Sequence, residues 1–177
     1  MSLTAYTAVA VLTIVHRPGA EPHVLLVSQF RPPVGKVIVE LPAGLIDAGE
    51  ETDEGTKGAA LRELSEETGY GAKGESHSVE VKLLSGIMFN DPGLTNSTMK
   101  LCTVEIQLAQ DAPEPVAHPD EGEYIERHLV PLRTLYEELE SECLLINLDF
   151  RQSDYAIDAR LAHLATGMKL GQDFAAK

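Results

Sequence analysis

The sequence predicts an α/β (α+β) domain in which a mixed β-sheet lies between helices. Three observations point there. Segments of strand composition and of helix composition follow the order strand-rich, helix, strand-rich, helix, helix. The strand segments are dense in β-branched residues and bounded by proline and glycine. The 177 residues show no internal repeat, low-complexity run or linker, so residues 1–177 are expected to form one domain.

Thr7–Val15 (TAVAVLTIV) reads as a strand buried on both faces, and His16–Pro22 as a turn. His23–Phe30 is a second strand, expected to pair with the first as a hairpin. Pro32-Pro33 stops it, Val34-Gly35-Lys36 makes a tight connection, and Val37–Leu41 is a short strand ended by Pro42. Gly44–Gly55 is expected as a long acidic loop and Thr56–Thr68 as a helix, with Ala60, Leu61 and Leu64 as its apolar stripe. Gly69 stands where a helix C-cap glycine belongs. Gly71–Ser78 is a loop, and Val79–Phe89 is one or two strands interrupted at Gly86. Asn90-Asp91-Pro92-Gly93 is a turn, and Ser97–Ala109 has strand composition. Gln110–Gly122, with three prolines and four acidic residues, is an exposed loop. Glu123–Val130 is a strand, Pro131–Glu142 begins a helix, and Asp154–Leu170 is a final helix with Ile157, Leu161, Leu164 and Met168 near helical spacing.

Composition narrows the function. Hydrophobic content of 44% and charged content of 24% are ordinary for a soluble globular protein. A net charge of −14 argues against nucleic acid or an anionic membrane as the main partner. No apolar run approaches the ~18 residues of a membrane span, and the N-terminus does not resemble a signal peptide. Cys102 and Cys143 lie far apart without metal spacing, which suggests reduced core thiols and a cytoplasmic location, the nucleus being the alternative. Met1-Ser2-Leu3 is compatible with an expression leader. None of the six histidines has ligand spacing.

The chemistry concentrates in Gly44–Tyr70 (GLIDAGEETDEGTKGAALRELSEETGY). On a helix Glu63, Glu66 and Glu67 stand at i, i+3 and i+4, so three carboxylates share a face with Cβ atoms about 5–6 Å apart. Alone, such a cluster is more often a solvated acidic face. Around a divalent cation it becomes a chelating set, and hard oxygen donors select Mg²⁺, Mn²⁺ or Ca²⁺.

With its flanks, this stretch resembles the Nudix hydrolase box: a glycine, five residues, Glu, seven residues, Arg-Glu, an apolar residue, any residue, Glu-Glu, any residue, Gly. Arg62-Glu63-Leu64-Ser65-Glu66-Glu67-Thr68-Gly69 meets the second half at every fixed position. The first half departs. Counting forward from Gly44 reaches Glu50, counting back from Arg62 reaches Glu54, and the difference is four surplus residues. The helix phase is expected to hold from Glu54 and the surplus to bulge as loop. Gln29–Pro33, Glu40–Asp47, Asp91–Asn96 and Gly122–Tyr124 further resemble the ADP-ribose pyrophosphatase branch of that family.

The resemblance implies a Nudix α/β/α sandwich and Mg²⁺-dependent hydrolysis of ADP-ribose to AMP and ribose 5-phosphate, with Mn²⁺ an alternative ion. It implies a small-molecule nucleotide-sugar substrate, a homodimer, and an extra N-terminal segment bearing an adenine-stacking aromatic. This chain has no Trp and starts inside the first core strand, so it is expected to be truncated. The implied metal ligands are Glu63, Glu67, Glu66 and the Ala43 carbonyl, with Gly44 in the turn that aims it. Arg62, unable to face the same way as Glu63, is assigned to an ion pair with Glu50 or Glu54 that braces the loop. Arg31, set between a strand and Pro32-Pro33, is the phosphate-gripping candidate, and Leu45, Asn90 and Asp91 are the other substrate contacts. A plain turn cap is the alternative for Asn90 and Asp91. Glu123, beyond a loop that could act as a lid, is the general-base candidate, with Glu66 and Glu67 of the box as rivals. Other readings are a hydrolase of a different nucleoside diphosphate-linked sugar, one of an oxidised nucleotide, and a Nudix-like module that binds a nucleotide without cleaving it.

Overall fold

The computed structural model describes residues 7–71, 77–119, 122, 124–140 and 155–176. Its strands are β1 (Ala8–His16), β2 (His23–Arg31), β3 (Lys36–Glu40), β4 (Ala43–Leu45), β5 (His77–Leu84), β6 (Met88–Phe89), β7 (Thr98–Leu108), β8 (Ile125–Pro131) and β9 (Tyr155–Ile157). The helices are α1 (Asp53–Thr68), α2 (Leu135–Glu140, entered through the 3₁₀ turn Leu132–Thr134) and α3 (Ala159–Ala175).

The strands join one mixed sheet along the path β5-β7-β1-β2-β3-β9, with β4 on β1, β6 on β7 and β8 on β2. β1 runs parallel to β7 throughout, whereas its expected hairpin with β2 pairs only Thr13–Val15 with His23–Leu25. That leaves the first half of β1 with a free edge on that side. β4 occupies it, pairing Ala8 with Leu45, Val9 with Gly44 and Ala10 with Ala43.

Alternation along the strands feeds two cores, one on each face. Val9, Val11, Val15 and Leu25 pack with Ala59, Ala60 and Leu64 of α1. Val24 and Leu26, one residue out of phase with Leu25, pack with Leu135, Leu139, Leu161 and Ala165 of α2 and α3. Helices on both faces of a mixed sheet are what the segment order predicts, and the α/β/α layering is what the resemblance implies.

Three boundaries that bear on the site differ from the sequence reading. Gly44 and Leu45 belong to β4 and not to the acidic loop, because β1 offers them an unpaired edge. α1 starts at Asp53, since Thr52 is extended and its hydroxyl accepts from the Gly55 amide at 3.1 Å, an ordinary N-cap. At the other end, the residues read as the start of the last helix instead form β9, parallel to β3. Asp158 then caps α3 by accepting from the Arg160 and Leu161 amides. Residues 141, 142, 143 and 154 lie outside the described residues.

Cys102 is buried and its thiol is pushed up to about 11 by desolvation, with Lys57 opposing weakly, so it stays protonated at neutral pH.

Candidate active site

α1 presents its acidic face to β4. The Ala43 amide donates to Glu67 Oε2 at 3.2 Å, and Glu67 is only 5% exposed. A Cβ at Gly44 would coincide with the Glu63 carboxylate, so a glycine is what lets that carboxylate rest against the strand. Gly69 closes the helix at φ 81° with its amide on the Ser65 carbonyl at 2.8 Å.

Ala43, Gly44, Leu45, Glu63 and Glu67 line a cleft of about 470 Å³, together with Ala8, Arg31, Asp47, Arg62 and Arg160. Arg31 reaches it from the end of β2, where the Val34 and Gly35 amides bond its carbonyl at 3.1 and 3.0 Å. Its Nε donates to Glu40 Oε1 at 2.8 Å. Carboxylates of α1 and the guanidiniums of Arg31 and Arg160 thus line one cleft.

Arg62 does not turn away from Glu63 as expected. Its Nη1 lies 2.9 Å from Glu63 Oε1 and 3.6 Å from Glu66, while Nη2 reaches Asp47 at 3.4 Å, Glu50 at 3.6 Å and the Leu45 carbonyl at 3.4 Å. The long side chain curls along the helix and covers both directions. Burial lowers its pKa, but Glu63, Asp47 and Glu66 outweigh burial and leave it raised. Of the two rival glutamates the structure brings Glu50 to Arg62, while Glu54 pairs with Lys57 at 2.7 Å and is 86% exposed. With Glu50 as Arg62's partner the five-residue spacing from Gly44 is kept, and the four surplus residues fall between Glu50 and Arg62. Because the Arg62 side chain is 35% exposed, Arg62→Met is expected to cost about 1 kcal/mol rather than the ~3–5 kcal/mol of a buried pair, lowering Tm by about 2–4 °C in a calorimetric melt.

Glu66 stands half-exposed beside Arg62, and its backbone carbonyl accepts from the His118 amide at 2.8 Å. The loop ahead of β8 is thus tied to α1. Arg127 strengthens the tie by donating to the Thr68 carbonyl at 2.8 Å, to the Pro115 carbonyl and to Glu114 at 3.3 Å. Glu123 lies outside the described residues. Asn90 and Asp91 are not brought to the cleft. They stand in an exposed turn where Asn90 Nδ2 bonds Ser97 Oγ at 2.8 Å and the Asp91 carbonyl accepts from the Leu94 and Thr95 amides at 3.1 and 2.8 Å.

The sequence reading missed Arg160 and Asp47, which line the cleft, and Asp158 and Glu40, which hold the arginines that line it. Arg160 follows an N-capping aspartate, a visible signal, but the apolar spacing of α3 says nothing about the cleft. Its Nε and Nη2 grip Asp158 at 2.9 and 2.8 Å. Burial raises the Asp158 pKa, but its hydrogen bonds and charge pairing with Arg160 outweigh that and leave it below the usual carboxylate value. Its stabilisation is therefore complete above the unfolded pKa of about 4 and is lost as pH falls through the lower folded value. Asp158→Ala is expected to cost about 1–2 kcal/mol at pH 7, with the gap in Tm closing on acidification below about pH 4.

Among the described residues no three histidine, cysteine, aspartate or glutamate side chains converge as a ready-made metal cage. The donors that do fit a hard divalent cation are two glutamates one helical turn apart and the backbone of Ala43 and Gly44 against them.

The family model for the NUDIX domain matches residues 6–144. Three curated relatives are similar over most of the chain. An uncharacterized Nudix hydrolase of Schizosaccharomyces pombe is 42% identical over 93% of this chain and 71% of its own length. The ADP-ribose pyrophosphatase of Saccharomyces cerevisiae is 40% identical over 94% of this chain and 64% of its own. The ADP-sugar pyrophosphatase of Mus musculus is 38% identical over 88% and 67%. The chain thus spans between 64% and 71% of the length of these relatives.

Proposed function

The chain belongs to the Nudix hydrolase family, and from that premise we propose that it is a metal-dependent pyrophosphohydrolase cleaving ADP-ribose to AMP and ribose 5-phosphate. The observation that carries the reading is that Glu63 and Glu67 of α1 line one cleft together with Arg31 and Arg160. The yeast and mouse relatives named above support the choice of an ADP-linked sugar.

A diphosphate resists hydrolysis because its oxygens repel the nucleophile, so the site must neutralise charge and position water. Glu63, Glu67 and the Ala43 carbonyl would hold Mg²⁺, or Mn²⁺, with Glu66 close by. The bound cation would screen phosphate charge and acidify water. Arg31 has its Nε on Glu40, and among the described residues its terminal nitrogens bond no protein group, so they are free to grip a phosphate bidentately. Arg62 braces the loop through Asp47 and Glu50. Glu123 is the proposed base that takes the proton of the attacking water, with Glu66 its rival. As water bonds to one phosphorus, the bond from that phosphorus to the bridging oxygen breaks. Residues 1–177 act as one Nudix domain in this proposal, which also includes a cytoplasmic homodimer testable by sedimentation.

Steady-state hydrolysis of ADP-ribose, ADP-glucose and an oxidised nucleotide at fixed Mg²⁺, with products identified, tests the reading. ADP-ribose is expected to be cleaved fastest, yielding AMP. Equal rates on ADP-glucose would remove the specific assignment, and background rates on all three would remove the hydrolase.

A further inference from the structure

One carboxylate beside the cleft has no role in the chemistry above. Glu40 ends β3, is 4% exposed, and carries a charge that would be costly to bury unpaired. Its oxygens face two arginines from opposite ends of the chain. Arg31 Nε donates to Oε1 at 2.8 Å, and Arg160 Nη2 lies 3.9 Å from Oε2.

Each guanidinium is held by a carboxylate, Arg31 through one nitrogen and Arg160 through two. Arg31 spends its Nε on Glu40. Arg160 spends Nε and Nη2 on Asp158, and among the described residues its Nη1 donates only to the weak acceptor Met99 Sδ at 3.3 Å. Both side chains line the cleft that holds Glu63 and Glu67. Glu40 and Asp158 match the two guanidiniums in charge, so what this cluster offers an anion is directed N–H donors rather than surplus positive charge.

We infer that Glu40 is a positioning residue that sets Arg31 and Arg160 as a two-guanidinium clamp for a diphosphate, with Arg160 its second anion-binding residue. The inference rests on reading this cleft as the diphosphate site. Planar donors held in advance lose little freedom when the anion arrives, so the clamp acts on binding more than on turnover.

The test measures ADP affinity by titration calorimetry in EDTA, and KM and kcat for ADP-ribose with Mg²⁺, in wild type, Arg160→Met, Arg160→Lys and Glu40→Gln. Arg160→Met and Glu40→Gln are each expected to weaken ADP and raise KM by about 10–100-fold, with kcat within about threefold of wild type. Arg160→Lys, a point charge without the fork, is expected to fall between. A purely structural ion pair would lower Tm and leave ADP affinity and KM unmoved. Arg160→Met within about twofold of wild type in both would overturn the clamp. If Glu40→Gln does not fold, Glu40→Asp decides its arm, because it keeps the charge but withdraws it by one methylene, and wild-type KM there would remove the positioning role. The two readings fail separately. A wild type that hydrolyses ADP-ribose while the variants match it sinks the clamp alone. A wild type that binds ADP through Arg160 yet hydrolyses nothing sinks the hydrolase alone.

Discussion

Glu67→Gln is expected to lower kcat by about 10²–10⁴-fold, the range for loss of one positioned electrostatic or acid–base group, while leaving the melting temperature unchanged or slightly raised. The two halves of this expectation have separate causes. Glutamine keeps the volume and an oxygen that can still accept from the Ala43 amide, now at 3.2 Å, so that hydrogen bond survives the change. Removing the charge also ends a like-charge pair with Glu63 one turn away, worth a few tenths of a kcal/mol. What goes is the anionic oxygen that a divalent cation needs, so affinity for Mg²⁺ should fall with the rate. A circular-dichroism melt beside an ADP-ribose assay measures both. Full activity in the variant would remove Glu67 from the site, and lost activity with a collapsed melt would make its role structural.

That separation of charge from shape also explains how far the sequence could be read. The strands were legible because β-branched runs such as Ala8–Val15 are buried on one face and at least partly buried on the other. The acidic face of α1 was legible because its spacing is local. β4 was not, since Ala43–Leu45 becomes a strand only through an edge of β1 that no local pattern reveals. Arg160 was hidden for the same reason. It meets Arg31 across 129 positions of sequence (160 − 31), joined by the carboxylate of Glu40. Resemblance supplied Ala43 and Arg31, helical spacing supplied Glu63, and the fold brings all three to one cleft. Asn90 and Asp91 came from the same resemblance and stand elsewhere, held by their own turn. Local chemistry can be read from residues in order, but convergence depends on the sheet.

Gly44→Ala is expected to abolish most activity in a protein that still folds. The added Cβ would occupy the place of the Glu63 carboxylate, and that carboxylate is the far end of a flexible side chain. It can swing aside for a rotamer cost of about 1 kcal/mol, so the melt should shift by only about 2–4 °C. The displaced oxygen can no longer stand against β4 beside Glu67, and a small misplacement of a catalytic group costs about 10²-fold in rate. Gly69→Ala gives the opposite result. There φ is 81°, and a Cβ would lie 2.7 Å from the Val116 carbonyl oxygen, a backbone atom that cannot turn away. The left-handed conformation alone costs about 1–2 kcal/mol, and the clash adds to it, so Tm should fall by about 4–8 °C or more. Val116 belongs to the loop tied to α1 through His118 and Arg127, so that loop should loosen as well. Paired melts and rates on the two variants check this. If Gly44→Ala kept its rate, the packing of Glu63 against β4 would be incidental to catalysis, and α1 would retain only the Glu67 contact with Ala43.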